Sequence, residues 1–435
     1  MDKTVKLTFC IVLTGGLMLA ALSPARAQDT VRVSLDSCLR YANSHNLQVQ
    51  TARLATESSQ ATLTGAKLRF LPSVNASASQ GYGWDSRTGS TSNTQYGING
   101  SLTLFSGLSN LRTLQQSRVS AEQSELKVQQ TENSIGVQIV QSYLTILMNQ
   151  ERLTYQQEVL ETSHQQQMEG EVKYQVGRIL ESDYMLLQAN YTSAQSEIEN
   201  TRLTISDNIN SLNVLLCNTD GPTIATAELE DTLHAADRTI PPYDSITAWA
   251  HNALPDWQIN DMDVTIAEYN VELARSAFLP TVSLNAGYGG GWVPAVTAGS
   301  ASFGDNSSLS LGVSVPILNR GSSRTQLKQS KIALRQAEMQ RNQRQIDIDA
   351  EIYNLYLGTQ QALNRYRASE ALVEAYRASY EVYVIKFSEG AVTTVEMLQQ
   401  QNQYLSALND YLQNKYSYLL AEKQMDIYTG KEIKL

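Results

Sequence analysis

The chain is 435 residues long and carries a formal net charge of −10, with 17% charged residues and 22 tyrosines against 6 phenylalanines. An acidic chain without a basic patch of useful size repels phosphate, which excludes nucleic acid as a partner, while an excess of tyrosine suits surfaces that are apolar on one side and wet on the other. Of its three cysteines, Cys10 falls in the N-terminal leader; Cys38 and Cys217 leave one disulfide open as a possibility, and no CxxC or Cys/His metal spacing occurs.

Residues 1–27 read as a secretory signal: Lys3 and Lys6, an apolar run from Leu7 to Leu22, and Ala25-Arg26-Ala27 as the cleavage site. Two helices are expected between Ser34 and Lys67, broken around Asn43–Asn46 and stopped by Pro72. The period then changes to two, with Val74, Ala76, Ala78, Gln80, Tyr82 and Trp84 alternating against polar or small neighbours. After a loop over about 85–94, Tyr96, Ile98, Gly100, Leu102 and Leu104 alternate again. Residues 72–105 are therefore a β-hairpin with strands of about ten residues.

From about Leu108 to Tyr174 there is no proline, and Ile135, Ile139, Tyr143 and Ile146 recur at helical spacing beside Val137, Val140, Leu144 and Leu147. A helix of some 65 residues is roughly 97 Å long, and its two seams require two packing partners. After Gly177 the return helix carries Tyr184, Tyr191, Ile198, Ile205 and Leu212 at steps of seven, a coiled-coil signature. Residues 218–245 read as a linker, and a second copy follows: a hairpin over about 280–316, a long helix from about Arg324 to Phe387, and a return helix with Leu398, Leu405, Leu412 and Leu419 at steps of seven.

The duplication is visible by subtraction. Gly390 minus Gly177, Glu396 minus Asp183 and Tyr404 minus Tyr191 each give 213, whereas Pro280 minus Pro72 gives 208, which puts a five-residue difference inside the second hairpin. The expected organisation is a leader at 1–27, a first repeat at 28–230 and a second at 231–435. Each copy supplies two amphipathic strands long enough to cross a bilayer, with Tyr82, Trp84, Tyr96, Tyr288 and Trp292 placed as an interfacial aromatic girdle. Four strands cannot close a barrel, and an open edge is not tolerated in lipid, so strands in a membrane must be pooled between chains. Two ordinary hairpins on soluble helices is the alternative.

Enzymology finds little support. His45, His164, His234 and His251 are scattered, Gly289-Gly290-Gly291 lies in a strand pattern with no following helix or Lys-Ser/Thr, and neither metal nor cofactor is expected.

The duplicated layout, Leu71-Pro72 and Leu279-Pro280 before each hairpin, Phe105-Ser106-Gly107 after the first, the Gly177 and Gly390 turns with a carboxylate six residues on, and Ser211–Leu216 closing the first copy resemble the TolC-type outer-membrane efflux family. The resemblance covers nearly all of the mature chain. It implies mixed α and transmembrane β: a homotrimer with a shared twelve-stranded barrel in the outer membrane of a Gram-negative bacterium, over an α-helical barrel of long hairpins crossing the periplasm. It implies an exit duct serving an RND- or ABC-type inner-membrane pump through a periplasmic adaptor. A secreted or periplasmic coiled-coil scaffold without a pore is the rival reading. By matching positions, the gate candidates are Tyr174, Arg178, Asp183, Phe387 and Glu396, with Phe387, Val392 and Gln399 departing from the tyrosine, arginine and carboxylate common in the family. The adaptor-docking tips fall on Val176, Gly177, Arg178 and Ile179 and on Gly390, Ala391 and Val392.

Overall fold

A computed structural model describes residues 31–85, 89–218, 224–226, 234–293 and 302–431; the leader lies outside them. The chain runs β1 (Val31–Val33), α1 (Leu35–His45), α2 (Leu47–Leu68), β2 (Ser73–Asp85), β3 (Gly89–Ser106), α3 (Ser109–Gln175) and α4 (Glu181–Leu216). There follow β4 (Ile224–Thr226), α5 (Tyr243–Ala253), α6 (Asp256–Ser276), β5 (Thr281–Val293), β6 (Ser302–Ser314), α7 (Ser322–Ser388) and α8 (Thr394–Tyr428). The long helices α3 and α7 each have 67 residues, roughly 100 Å of rise.

Asn46 makes the expected break between the first two helices. Its side chain accepts from the backbone N–H groups of Gln48 and Val49, capping α2, and donates to the Leu215 carbonyl at 2.7 Å, tying the break to the end of α4. The largest core lies at this level. Leu35, Cys38 and Ala42 of α1, the expected Ile135/Ile139/Tyr143/Ile146 seam of α3, and Leu212 and Leu216 of α4 are all buried there together with Tyr416 and Leu419 of α8. Burial pushes the Cys38 thiol up to about 11, and both Cys38 and Cys217 are free.

The linker is more than a spacer. Its β4 pairs in parallel with β1, and the Tyr143 hydroxyl donates to the Val33 carbonyl at 3.0 Å, so the linker, β1 and α3 are joined. Three-residue strands have too little pattern to be read from sequence.

The four long strands form one antiparallel sheet in the order β2-β3-β5-β6, so the two copies meet at β3–β5. The strands are longer than the expected ten residues: 13, 18, 13 and 13. The segment expected as a loop at 85–94 is strand from Gly89 onward, and in the second hairpin strand resumes at Ser302, because the ladder supplies cross-strand partners to Ser, Thr and Asn stretches whose propensity alone is weak. The five-residue difference does lie in the hairpin. β2 and β5 start 208 residues apart, at Ser73 and Thr281, and β3 and β6 start 213 apart, at Gly89 and Ser302.

Each tip is closed by the same hydrogen bonds. Gly177 N–H donates to Tyr174 O and Arg178 N–H to Lys173 O at 2.9 and 2.8 Å; Gly390 N–H donates to Phe387 O and Ala391 N–H to Lys386 O at 3.1 and 2.8 Å. These are Schellman turns, and their glycines sit at φ 73° and 75°. A Cβ at either glycine meets nothing within 4 Å, so the requirement for glycine is conformational alone. Gly390→Ala is expected to cost about 1 kcal/mol locally, read as faster amide exchange over 388–392 with the far core unchanged; unchanged exchange there contradicts this account.

Candidate functional site

The sheet has two chemically distinct faces. Cross-strand partners share a face, so the register places Val74, Ile98, Leu284 and Leu311 on one side with all five girdle residues, and all five are exposed. Phe303, opposite Trp292, joins the girdle and stacks on Tyr96 at 5.9 Å. Asp305 shares this face and accepts a hydrogen bond from the Tyr288 hydroxyl at 3.0 Å. A second apolar set, Phe70, Leu71, Phe278 and Leu279, is exposed where the chain enters the sheet from α2 and α6. The repeated Phe-Leu-Pro carries this signal, of which only Leu-Pro was read from the sequence.

The opposite face is made of Ser, Thr, Asn, Gln and Gly from Ser73 to Gly83, Asn93 to Thr103, Thr281 to Gly291 and Gly304 to Ser314, with no charged side chain. A shallow cavity of about 510 Å³ opens on it, lined by Ser77, Gln95, Asn99, Asn306, Ser308 and neighbouring glycines, so the sheet is concave toward its polar side. Glycine permits the curl: a Cβ at Gly289 comes 2.6 Å from Tyr96 O, and one at Gly291 2.5 Å from Thr94 O. A sheet polar inside its curve and apolar outside it is built to line water and face lipid.

At the other end, the tips of the two helical hairpins are joined within the chain. Lys173, near the end of α3, donates from Nζ to the Phe387 carbonyl at 2.5 Å, lies 4.3 Å from the centroid of the Phe387 ring and pairs with Glu169 at 2.9 Å. Phe387 is 2% exposed and packs with Leu187 and Met397. Among the five gate candidates it is therefore a core anchor, whereas Tyr174 and Arg178 are exposed and Asp183 is partly so. Tyr174 stacks on Tyr184 at 5.6 Å. Of the tip residues, Val176 and Ala391 are exposed, Ile179 is half-buried, and Val392 leans on the Phe387 core.

Glu396 is held in a capping box. Its Oε2 accepts from the Thr393 backbone N–H at 2.8 Å and from the Thr393 hydroxyl at 2.9 Å, and its own N–H donates back to Thr393 Oγ1. Sequence matching gave its position and missed this bond, although Thr393-Thr-Val-Glu396 is itself a capping-box pattern.

Further along the hairpins lies a buried polar layer that sequence reasoning missed. Asn190 Nδ2 donates to Ser163 Oγ and Gln401 Oε1, Gln401 Nε2 donates to Ser163 Oγ, and Gln166 Nε2 donates to the Tyr380 hydroxyl, all at 3.0–3.1 Å. Burial pushes Tyr380 up to about 12, so it stays a neutral phenol. The layer draws on α3, α4, α7 and α8 and fixes the relative height of the two hairpins. Its members are polar residues in heptad-like runs, indistinguishable in sequence from solvated positions.

The profile described as outer membrane efflux protein matches residues 39–218 and 255–431, each segment ending beyond one hairpin tip. The chain belongs to the outer membrane efflux protein family. It is 21% identical over 368 residues, 83% of each chain, to the outer membrane protein TolC of Vibrio cholerae serotype O1. Among solved structures it is similar to the CmeC outer membrane channel of Campylobacter jejuni, with a TM-score of 0.75, 20% identity and coverage of 91% of this chain and 85% of that one. It is also similar to VceC of Vibrio cholerae, with a TM-score of 0.74, 14% identity and coverage of 92% and 97%. The chain is an outer-membrane exit duct of efflux or type I secretion type, extending into the periplasm.

The electrostatics of the second tip give a pH dependence. The Thr393 backbone N–H, and then its hydroxyl, hold the Glu396 carboxyl below the usual carboxylate range. A depressed folded-state value means that the cap is fully stabilising above the ordinary glutamate value of about 4.3 and is lost as pH falls through the lower, folded one. Amide protection at the start of α8, taken relative to the intrinsic exchange rate at each pH, is expected to fall as acid is added below pH of about 4, and Glu396→Gln is expected to flatten that fall; the same profile in both proteins counts against the assignment.

Proposed function

We propose that the chain acts as a homotrimer whose three sheets close into one twelve-stranded barrel, above a ring of long hairpins whose tips gate the duct and meet a periplasmic adaptor bound to an inner-membrane pump. We also assign removal of residues 1–27, leaving repeats 28–230 and 231–435. The observation that carries the reading is the pair of unpartnered edges, β2 and β6, on a sheet whose concave side is polar and whose convex side is apolar.

The internal repeat supplies the register of the missing seam. β3 pairs with β5 through Leu102↔Leu284 and Ser106↔Thr281. Adding 213 to the β3 numbers and subtracting 208 from the β5 numbers puts Val315 opposite Ala76 of the neighbouring protomer, and Asn319 opposite its Ser73. The segment 315–319 therefore repeats the last five residues of β3. In the single chain it is unpaired, with Ile317 94% and Leu318 91% exposed. Pro316, which has no N–H to donate, falls on the counterpart of Thr103, where the β3 ladder is already interrupted by a bulge. Residues directly opposite have Cβ atoms about 5 Å apart, so Ala76→Cys with Val315→Cys, in a Cys217→Ser background, is expected to give disulfide-linked dimers and trimers on mild oxidation. Monomer alone, from protein inserted in the outer membrane, sinks the shared barrel.

Gating follows from the lower contacts. Lys173 fastens the end of α7 to α3 and so holds the second tip against the first. Three-fold repetition places Asp183 and Glu396 in acidic rings that favour cations, and with an uncharged barrel lining those rings are the source of ion selectivity. Exposed Val176, Arg178 and Ala391 are the surface offered to the adaptor. Lys173→Met removes a charge-assisted bond worth about 1.5–3 kcal/mol, and is expected to raise the open population in planar-bilayer recordings at least about tenfold. An unchanged open probability from an intact trimer removes Lys173 from the gate.

A further inference from the structure

The start of α7 carries a charge pattern that the duct does not use. Between Asp305 and Glu338 the chain has five cations, Arg320, Arg324, Lys328, Lys331 and Arg335, and no carboxylate, in a protein whose net charge is −10. The last four are spaced i, i+4, i+7 and i+11, so the helix lines them up on one face, and all are exposed. Among the described residues none of the five has an ion-pair partner. The first turn of α7 holds no acidic residue, although the helix dipole favours an anion there and disfavours Arg324. Sequence reading saw no basic patch because these residues stand three or four positions apart among neutral ones and line up only on the helix.

The direction of this stripe can be read from α3, its counterpart 213 residues earlier. Bonds from α3 to α2 involve Ser124, which meets Thr56 and Ser59, Glu125, which meets Gln60, and Glu132, which meets Arg53, while bonds to α6 leave from Gln116, Gln123 and Gln130. At 100° per residue the two mean directions are roughly 160° apart on one side and roughly 200° on the other. In a closed ring of helices the smaller arc is the lumen and the larger is the outer wall. Positions 111, 115, 118 and 122 centre on the larger arc, and their α7 equivalents are Arg324, Lys328, Lys331 and Arg335. The stripe faces outward, directly below exposed Ile317 and Leu318 at the foot of the sheet, with exposed Lys67 and Arg69 below Phe70 and Leu71 at the other edge.

We infer that this basic band binds the phosphate headgroups of anionic phospholipid in the periplasmic leaflet of the outer membrane. The inference rests on the closed trimeric ring. Its chemistry is Arg and Lys pairing with phosphate oxygens next to acyl-chain contacts on the apolar foot. The upper residues of the stripe reach the headgroups, and the lower ones act through their field over a Debye length of about 10 Å.

The test uses delipidated, detergent-solubilised full-length protein incubated with mixed micelles of phosphatidylglycerol and phosphatidylcholine in equal amounts, with the lipid that co-elutes quantified by mass spectrometry. Wild type is expected to retain phosphatidylglycerol about tenfold over phosphatidylcholine, falling to within about twofold in 0.5 M NaCl and in R324Q/K328Q/K331Q/R335Q. Equal retention by a wild-type trimer overturns the inference, as does undiminished enrichment in an intact quadruple variant. Should that variant not assemble, K331Q/R335Q and the salt series decide by the same ratio. Binding of wild type, but not the variant, to purified peptidoglycan sacculi with no lipid preference assigns the band to the cell wall instead. A wild-type chain that elutes as a monomer removes the ring itself, and with it the outward face.

Discussion

Backbone hydrogen bonds have to be satisfied inside a bilayer, and this chain leaves two rows of them open. A four-stranded sheet with edges at β2 and β6 cannot rest in lipid, since each unpaired N–H or C=O there costs several kcal/mol. In the proposed trimer that requirement is met by repetition. The β3–β5 seam inside the chain is the template for the proposed junction, in which the unpaired 315–319 segment would be the matching piece. The concavity toward the Ser/Asn/Gly side, with glycines where a side chain would strike the neighbouring strand, gives the curvature that closure needs.

The helices answer a different constraint. α3 and α7 are too long to be buried in any single globule, so they pack by seams, and the seams alternate between apolar cores and polar layers. The core at Phe387, Leu187 and Met397 gives cohesion near the tips. The Ser163/Gln166/Asn190/Tyr380/Gln401 layer gives a fixed axial register, because sliding one hairpin past the other would leave its polar groups buried and unpaired. The second tip is organised by Lys173 and the Thr393–Glu396 capping box and the first by the Tyr174–Tyr184 stack. The two copies therefore differ in how their ends are fastened while sharing the same turn.

Charge is partitioned along the molecule in the same manner. The polar face of the sheet, from Ser73 to Gly83 and along its partner strands, carries no charged side chain, and residues 320–335, at the start of α7, carry five cations and no carboxylate. A net charge of −10 conceals this arrangement because it averages over the whole chain.

The sequence by itself determined the elements whose signal is local and periodic. The duplication, the long helices, the glycine turns, the apolar strand faces and the five-residue insertion were all legible, because helical and strand periods survive in a single chain and a repeat offset needs only subtraction. It could not supply the strand extensions from Gly89 and Ser302, the β1–β4 pairing, the burial of Phe387 or the Lys173 bond. Each depends on a partner more than a hundred residues away or on cross-strand pairing that overrides weak local propensity. The candidate site divides the same way. Residue positions came from spacing, but whether a polar side chain caps a helix, locks two hairpins or faces solvent is set by which helices stand beside it, and only the tertiary structure decides that.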